Sequence, residues 1–356
     1  MESYPIAVFI GYFLSLTCFA LVLNGVLLRF SKTLGIRNTP EGMIRWSSEE
    51  KPSVGGIGFY CIFLLSVASY GVFFPQGSLL MNNQLLGLLG ATSIAFLMGL
   101  ADDAYNTKPF LKLCVQIACG CVLILSGTKI SIFNDDITNY AMTIFWVVGL
   151  MNAINMLDNM DAITTIISMN ILLYAILFEL LRGEFRNAYF LIMIGVLAAL
   201  SGFLYYNWSP SKLFMGDSGS QFLGILLAAV GINCFWDAPD FSSQHIQSKQ
   251  IIVSVLAFIV PIIDTSIVVV NRISAGKSPF IGGKDHTTHH LAYLGFTERK
   301  VALILGLIGF VSLGLALLVN LYLVEWKEIY ILFFSLYILS LFGIFYRITL
   351  KQKALK

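Results

Sequence analysis

A chain of 356 residues that is 57% hydrophobic and 12% charged, with mean hydropathy +0.81, is not a soluble domain with an oily core; it has the composition of a polytopic membrane protein. Its formal net charge of +2 gives no bulk electrostatic case for nucleic acid. The six cysteines (Cys18, Cys61, Cys114, Cys119, Cys121 and Cys234) sit in or beside apolar runs, without CxxC spacing or a nearby histidine. They read as small buried hydrophobes rather than as a redox or zinc set.

Apolar runs long enough to cross a bilayer fall at roughly 5–30, 53–74, 84–101, 110–127, 139–157, 163–181, 188–206, 218–236, 250–272, 300–324 and 327–347, about eleven spans at about 20 residues each. The first run lacks a basic leader and is too long for a signal-peptide core, so it reads as a retained helix. The ninth contains Pro261 and Asp264 and is expected to kink or break. There is no internal repeat, so the whole chain, 1–356, is expected to be one all-α membrane-embedded domain. The two long connections, 31–52 and 273–299, are the natural places for soluble structure.

Basic residues divide unevenly between the two sides. The loops after spans 1, 3, 5, 7 and 9, with the C-terminus, hold Arg29, Lys32, Arg37, Arg45, Lys51, Lys108, Lys112, Lys212, Arg272, Lys277, Lys284, Arg299, Lys300, Arg347, Lys351, Lys353 and Lys356. The other side holds Lys129, Arg182, Arg186, Lys249 and Lys327. Positive charge marks the cytoplasmic side, which puts the N-terminus outside and the C-terminus inside, as an odd number of spans requires.

Five polar clusters fall on that basic side. Lys51-Pro-Ser-Val-Gly-Gly56 opens span 2, and its glycines would let a backbone approach a ligand. Gly99-Leu-Ala-Asp-Asp103 ends span 3, where adjacent carboxylates at a helix C-terminus are unfavourable without a cation. Between spans 5 and 6, Asn152, Asn155, Asp158 and Asp161 recur at steps of three, offering the oxygens a hard cation such as Mg²⁺ requires. Asn207-Trp-Ser-Pro-Ser-Lys-Leu-Phe-Met-Gly-Asp-Ser-Gly-Ser220 precedes span 8. There, Asp217 and Ser218 fit an N-cap or a phosphate site, Gly216 and Gly219 suggest close ligand approach, and Phe214 could stack on a flat ring or simply sit at the interface. Lys284-Asp-His-Thr-Thr-His-His-Leu291 carries His286, His289 and His290 without a Cys or Glu to complete a zinc site, so anion binding fits better. His245, on the opposite side, reads as surface. Acids for a metal, bases for phosphate and an adjacent membrane make up the inventory of phosphoryl transfer with a lipid substrate.

At these residues the chain resembles the polyprenyl-phosphate N-acetylhexosamine-1-phosphate transferases, a family of bacterial undecaprenyl-phosphate GlcNAc-1-phosphate transferases and phospho-MurNAc-pentapeptide translocases. KPSVGG, GLADD, NAINMLDNMDAI, YYNWSPSKLFMGDSGS, PIIDT and HTTHHL occur in family order over most of the chain, and HTTHHL looks more like the GlcNAc branch. The resemblance implies attack by a polyprenyl phosphate on the β-phosphorus of a UDP-N-acetylhexosamine, with GlcNAc the default sugar, and release of UMP. It implies Mg²⁺, or Mn²⁺ in its place, at Asp217 and Asn155, and action of Asp102, Asp103 and Asp158 on the lipid phosphate. It places Lys51, Lys112, Asp161, Asn207, Phe214, His286, His289 and His290 on the substrates, with Phe214 against uracil and Lys108 competing with Lys112 for the lipid phosphate. It also implies a bacterial inner-membrane enzyme of cell-wall or polysaccharide synthesis, with its site facing the cytoplasm and a homodimer as the analogous assembly. Where the family commonly reads DG-x-DGL, this chain has Asp158-Asn-Met-Asp-Ala-Ile163. Asn159 would tolerate positive φ; Ala162 would be strained by it.

Two other classes compete on the residues alone. A secondary transporter would use Asp264 near Pro261 but should show midplane charges and repeats. An aspartate-rich prenyltransferase would share the metal and the lipid diphosphate but would have no use for a ring-stacking loop.

Overall fold

In the computed structural model the described residues are 6–31, 51–74, 82–185, 187–239, 246–278, 283–323 and 325–353. Lys32, Arg37, Arg45, Arg186, His245 and Lys356 lie outside them. Among the described residues all regular elements are helices, apart from one parallel bridge between Ser53 and Phe214.

Helices stand at all eleven expected positions. They are α1 (Ile6–Phe30), α2 (Gly55–Phe73), α3 (Asn83–Tyr105), α4 (Pro109–Leu125), α5 (Asp136–Leu157), α6 (Ile163–Arg182), α7 (Ala188–Asn207), α8 (Gly216–Gly231) with a π-helical turn at Ile232–Trp236, the pair α9 (Gln247–Ala257) and α10 (Ile259–Ser274), and then α12 (Glu298–Tyr322) and α13 (Glu328–Lys353). A short helix, α11 (Thr287–Tyr293), lies between α10 and α12. Among the described residues nine helices are long and apolar enough to cross a membrane, the bent pair α9 and α10 makes a tenth if it is one span, and α4 is shorter. The 17 residues of α4 reach about 26 Å at the usual rise, the low end of what a span needs.

The ninth span is broken, as expected, with α9 and α10 meeting at 79°. The break falls at Phe258 rather than at Pro261. Pro261 sits in the first turn of α10, where its missing N–H costs nothing, while its ring would clash with the carbonyl of Ala257 in a continuous helix. The proline therefore fixes where α9 ends.

Helix α8 is the hub. It is almost wholly buried and packs on α2, α3, α5 and α6. Its neighbours approach through glycine: a side chain at Gly224 would strike the backbone of Met151 on α5, and one at Gly99 on α3 would strike the backbone of Asp217 and Ser218. The helices α1 and α13 are the least buried, with apolar faces turned outward as lipid-facing helices require. Of the cysteines, all free, only Cys119 and Cys234 are buried; Cys18, Cys114 and Cys121 lie on outward faces, because the solvent for those faces is hydrocarbon.

Alternation of the helices gathers the segments 51–54, 102–112, 155–163, 207–220 and 272–298 at one end of the bundle. Pro52 is bonded to Phe214, Asp103 to Ser218, Asp161 to Ser211, and Arg299 to Ser209. At the other end Ser131 is bonded to Asp237, Lys249 to Leu323 and Trp326 to Ser248. The five clusters share one face.

Candidate active site

The site is built around the N-terminus of α8. Asp217 stands in its first turn, half-buried, and its Oδ1 accepts a hydrogen bond from Asn155 Nδ2 of α5. The same amide donates to Ser220 Oγ at 2.8 Å, so Asn155 is held by two contacts to α8. The Asp217 carboxylate also lies within hydrogen-bonding range of Asp102 on α3. Asp102 is buried, forms an ion pair with Lys112 of α4, and accepts from Thr107 N at 2.7 Å and Thr107 Oγ1 at 2.6 Å. Two carboxylates this close to a membrane interior need a proton, a cation or both between them. Lys112 rather than Lys108 reaches them; Lys108 is exposed at the N-cap of α4.

The adjacent acids Asp102 and Asp103 divide their work. Asp103 points away from its neighbour and accepts from Asp217 N at 2.8 Å and Ser218 N at 3.0 Å. It caps α8 from α3. The N-cap expected of Asp217 and Ser218 is thus supplied from 114 residues upstream, and Asp217 is left free to present its carboxylate within the first turn.

The other sequence candidates separate into contact surfaces and scaffold. Asp161 is buried and accepts from Ser211 N at 2.8 Å and Ser211 Oγ at 2.7 Å. Asn207 is buried as well; its Oδ1 accepts from Ala162 N at 3.1 Å and Thr165 Oγ1 at 2.8 Å, and its Nδ2 donates to Leu213 O at 3.1 Å. These two residues hold the 207–215 loop in shape. That loop then pairs with the start of α2: Phe214 N donates to Pro52 O, while Gly55 N and Gly56 N donate to Phe214 O and Met215 O. The result is a half-buried Phe214 ring with Lys51 Nζ at 5.4 Å from its centroid, and Lys51 also reaches Ser211 Oγ at 3.4 Å. Asp158 closes α5, half-buried, between Asn155 and Asn159.

The glycines serve close packing between helices. A side chain at Gly56 would strike Gly219 N, and one at Gly216 would meet the Asp103 carboxylate. Their role is to let α2 and α3 close on the start of α8. Of the two family departures, Ala162 alone takes positive φ, at 66°; Asn159 does not, so its tolerance of that region is not what is used there.

The histidine segment folds as α11. Asp264 of α10, the residue most suited to a transporter, instead anchors this helix: its Oδ2 pairs with His286 Nδ1 at 2.9 Å and its Oδ1 accepts from Thr287 N at 2.8 Å. Asp285 is clamped by Arg272 through two bonds of 2.8 and 2.7 Å. Burial alone would raise its pKa, but the guanidinium holds the carboxyl below the usual range. His289 is pushed down to about 3 by burial and by His286 beside it. It is therefore neutral, and its Nδ1 accepts from His286 N at 3.3 Å. All three histidines are buried, and His286 is the N-cap of α11 rather than part of its face.

Below the acids lies a layer that sequence reading missed. Gln116, one turn beyond Lys112, bonds Asn152 Nδ2 through Oε1 at 2.7 Å and donates to Gln221 Oε1 at 3.2 Å, one turn beyond Asp217. This accounts for Asn152: it belongs to an amide network locking α4, α5 and α8 in register. The spacing of four from two site residues was the available signal. Ser211 and Ser220 were also missed, although both lie inside the loop singled out.

The donors present suit a hard cation. Asp102 and Asp217 offer paired carboxylates with the Asn155 amide beside them, and Mg²⁺ needs one or two carboxylates with the rest of its shell from water and phosphate. Among the described residues no three His, Cys, Asp or Glu side chains converge, at the acids or at the histidine helix.

The region 85–235 matches the family model described as Glycosyl transferase family 4. A phospho-N-acetylmuramoyl-pentapeptide-transferase of Staphylococcus aureus (strain JH9) is 32% identical over 285 residues, 73% of this chain and 82% of that protein. The chain belongs to glycosyl transferase family 4. Two other members at lower identity are a probable undecaprenyl-phosphate N-acetylglucosaminyl 1-phosphate transferase of Bacillus subtilis (strain 168), 24% identical over 87% of this chain and 84% of that protein, and a decaprenyl-phosphate N-acetylglucosaminephosphotransferase of Mycobacterium leprae (strain TN), 28% identical over 74% and 72%. The part matching the glycosyl transferase family 4 model runs from α3 to the π-helical turn. It contains Asp102, Asp103, Lys112, Asn155, Asp158, Asp161, Asn207, Phe214 and Asp217. Lys51 and the histidine helix lie outside that match and are brought to it by the fold, Lys51 through Ser211 and the helix through the bond from Thr288 to Asn159.

Proposed function

We propose that this membrane protein transfers an N-acetylhexosamine 1-phosphate from a UDP-sugar, GlcNAc by default, to a polyprenyl phosphate. The observation that carries the reading is the Asp102–Asp217 pair, braced by Lys112 and Asn155 at one end of a predominantly apolar bundle. Family membership and the names of the relatives support the same reaction. In the transfer, a lipid phosphate oxygen attacks the β-phosphorus of the UDP-sugar. The bond from that phosphorus to the bridging oxygen breaks, and UMP leaves with the electron pair. A phosphate monoester has its second pKa near about 6, so the attacking group is already largely dianionic and needs orientation more than deprotonation.

The roles follow from position. Lys112, at the mouth of α4, is placed to take the lipid phosphate and deliver it beside Asp102. Asp217 and Asp102, with Asn155, would hold Mg²⁺ or Mn²⁺. Such a cation, when bound, neutralises the diphosphate charge that develops as UMP departs. Asp103 is a positioning residue that aims Asp217 through the first turn of α8. Phe214 and Lys51 offer a flat face and a cation to the uridine end, and the histidine helix offers N–H donors to the sugar diphosphate. The basic residues concentrated at this end of the bundle favour a cytoplasmic site and a cytoplasmic C-terminus.

The test is direct. Purified protein with radiolabelled UDP-GlcNAc, polyprenyl phosphate and Mg²⁺ should yield labelled lipid and stoichiometric UMP, and chelation should stop it. Failure to turn over any UDP-N-acetylhexosamine would exclude the reading. Inversion at a chiral β-phosphorus would separate direct attack from a route through a carboxylate phosphoenzyme.

A further inference from the structure

Asn159 is one of the two residues at which this chain departs from the DG-x-DGL pattern, and its side chain does something specific. The Nδ2 donates to Met156 O at 2.8 Å, which fixes the amide against its own loop. The Oδ1 accepts from Thr288 Oγ1, 129 residues away in the first turn of α11. Asn159 lies between Asp158 and Asp161, and Thr288 lies between His286 and His289. Thr288 is fully buried. The ties through Asp264 and Arg272 hold the histidine segment to α10. The Asn159 bond ties it across the site to the acidic loop.

We propose that the Asn159–Thr288 hydrogen bond is a latch that sets the distance between the acidic loop and the histidine helix, and so determines how tightly the sugar-diphosphate end of the nucleotide sugar is held. Both residues are positioning residues, because neither replaces a group that touches the reacting atoms. The physical basis is geometric. Asn159 does not need positive φ, so its side chain, not its backbone freedom, is what the position uses. A buried hydroxyl with an amide acceptor prefers one helix orientation over its alternatives. The assignment of substrate rests on the transferase reading above; the latch itself does not.

The experiment therefore has two arms. In the first, backbone hydrogen exchange over 286–293 is measured in the unliganded detergent-solubilised protein. Exchange should quicken in Asn159→Ala and in Thr288→Val and remain unchanged in Thr288→Ser, which keeps the hydroxyl. In the second, the KM for UDP-GlcNAc should rise by about three- to tenfold in Asn159→Ala and Thr288→Val, the range one buried hydrogen bond supports, with kcat and the lipid-phosphate KM within about twofold. The double variant should be no worse than either single one, and Thr288→Ser should behave as the unaltered protein. Unchanged exchange in both single variants would overturn the latch. Faster exchange with additive effects, or with equal loss for both substrates, would overturn its role in holding the sugar nucleotide. If the unaltered protein turns over no UDP-sugar, the transferase reading fails while the exchange arm still decides the latch.

Discussion

The two ends of the bundle start their helices in different ways. At the far end each capped helix caps itself: Asn82 accepts from Leu85 N, Asp135 from Thr138 N and Asn187 from Phe190 N. At the site end several orphan N–H groups go to distant partners, although α11 also has a local tie in which His286 N donates to His289 Nδ1. Asp103 serves α8, Asn207 serves the entry to α6, Asp264 serves α11, and the backbone of Phe214 and Met215 serves α2. A local cap stabilises one helix. A cap borrowed from another helix fixes two helices relative to each other, which a site assembled from five segments requires. The capping acid at the far end, Asp135, is thus structural in a local sense, whereas Asp103 at the site end fixes one helix against another.

The sharpest break in that contrast is at Asp217. Asp217→Asn preserves shape and the bond from Asn155 only if the amide turns its oxygen, and it removes one of the paired charges. Turnover should fall on the order of 10³-fold or more, as when a group stabilising transition-state charge is lost, with helix content unchanged. Retained activity in Asp217→Asn would remove the cation site from where we place it.

Next come the two kinds of cap, compared directly. Asp103→Ala and Asp135→Ala each delete a capping carboxylate, and the loss at Asp103 costs about 1 kcal/mol of stability. The first also frees the first turn of α8, and misplacing Asp217 by about an ångström should cut kcat about 100-fold. The second should leave kcat within about twofold, since nothing at the far end is aimed at substrate. Equal activity in the two variants would show that cross-helix capping does not position the site. Phe214→Ala is smaller and of another kind: stacking on one base is worth about 1–3 kcal/mol, so the UDP-sugar KM should rise about tenfold or more with kcat little changed.

How much of this was legible in the sequence follows from the same contrast. The spans, the break in the ninth and the face shared by the clusters follow from hydropathy and alternation, which are local properties. Self-caps are likewise local, three residues from cap to donor. That Asp102 and Asp103 part company is not local: it depends on Gly99 allowing α3 to touch the backbone at Asp217. The bonds by which Asp161 and Asn207 hold the 207–215 loop are not legible either, because their partners Ser211, Ala162 and Thr165 are set by the fold. Asp264 was the residue best suited to the competing transporter class because its partners, His286 and Thr287, lie in a different segment.

The histidine helix adds a dependence on pH of its own. His289 has its pKa lowered from 6.5 to about 3 by burial and by His286. Between those values the unfolded chain binds a proton that the folded one refuses, so stability falls as pH drops below 6.5, by at most about 1.4 kcal/mol per pH unit. The depressed Asp285 carboxyl acts in the same direction but only at lower pH, below its ordinary range. His289→Asn, which can keep the acceptor for His286 N, should flatten the loss of stability between pH 6.5 and 5. An unchanged slope would show that His289 does not carry it.

The smallest effect tests backbone rather than charge. Positive φ at the far end falls on Gly127 and Gly183, whereas at the site end it also falls on Asn106, at 50°, and Ala162, at 66°. Asparagine visits this region readily; alanine does so at a cost on the order of 1 kcal/mol, and that cost exceeds what glycine loses by its freedom in the unfolded chain. Ala162 endures it because its N–H is held by Asn207 and its side chain is buried. Ala162→Gly should therefore stabilise the protein by about 0.5 kcal/mol in denaturant unfolding, while Asn106→Gly should change little. If Ala162→Gly instead destabilises, the methyl group contributes more in packing than it loses in backbone strain, and the site end is less strained than its dihedral angles imply.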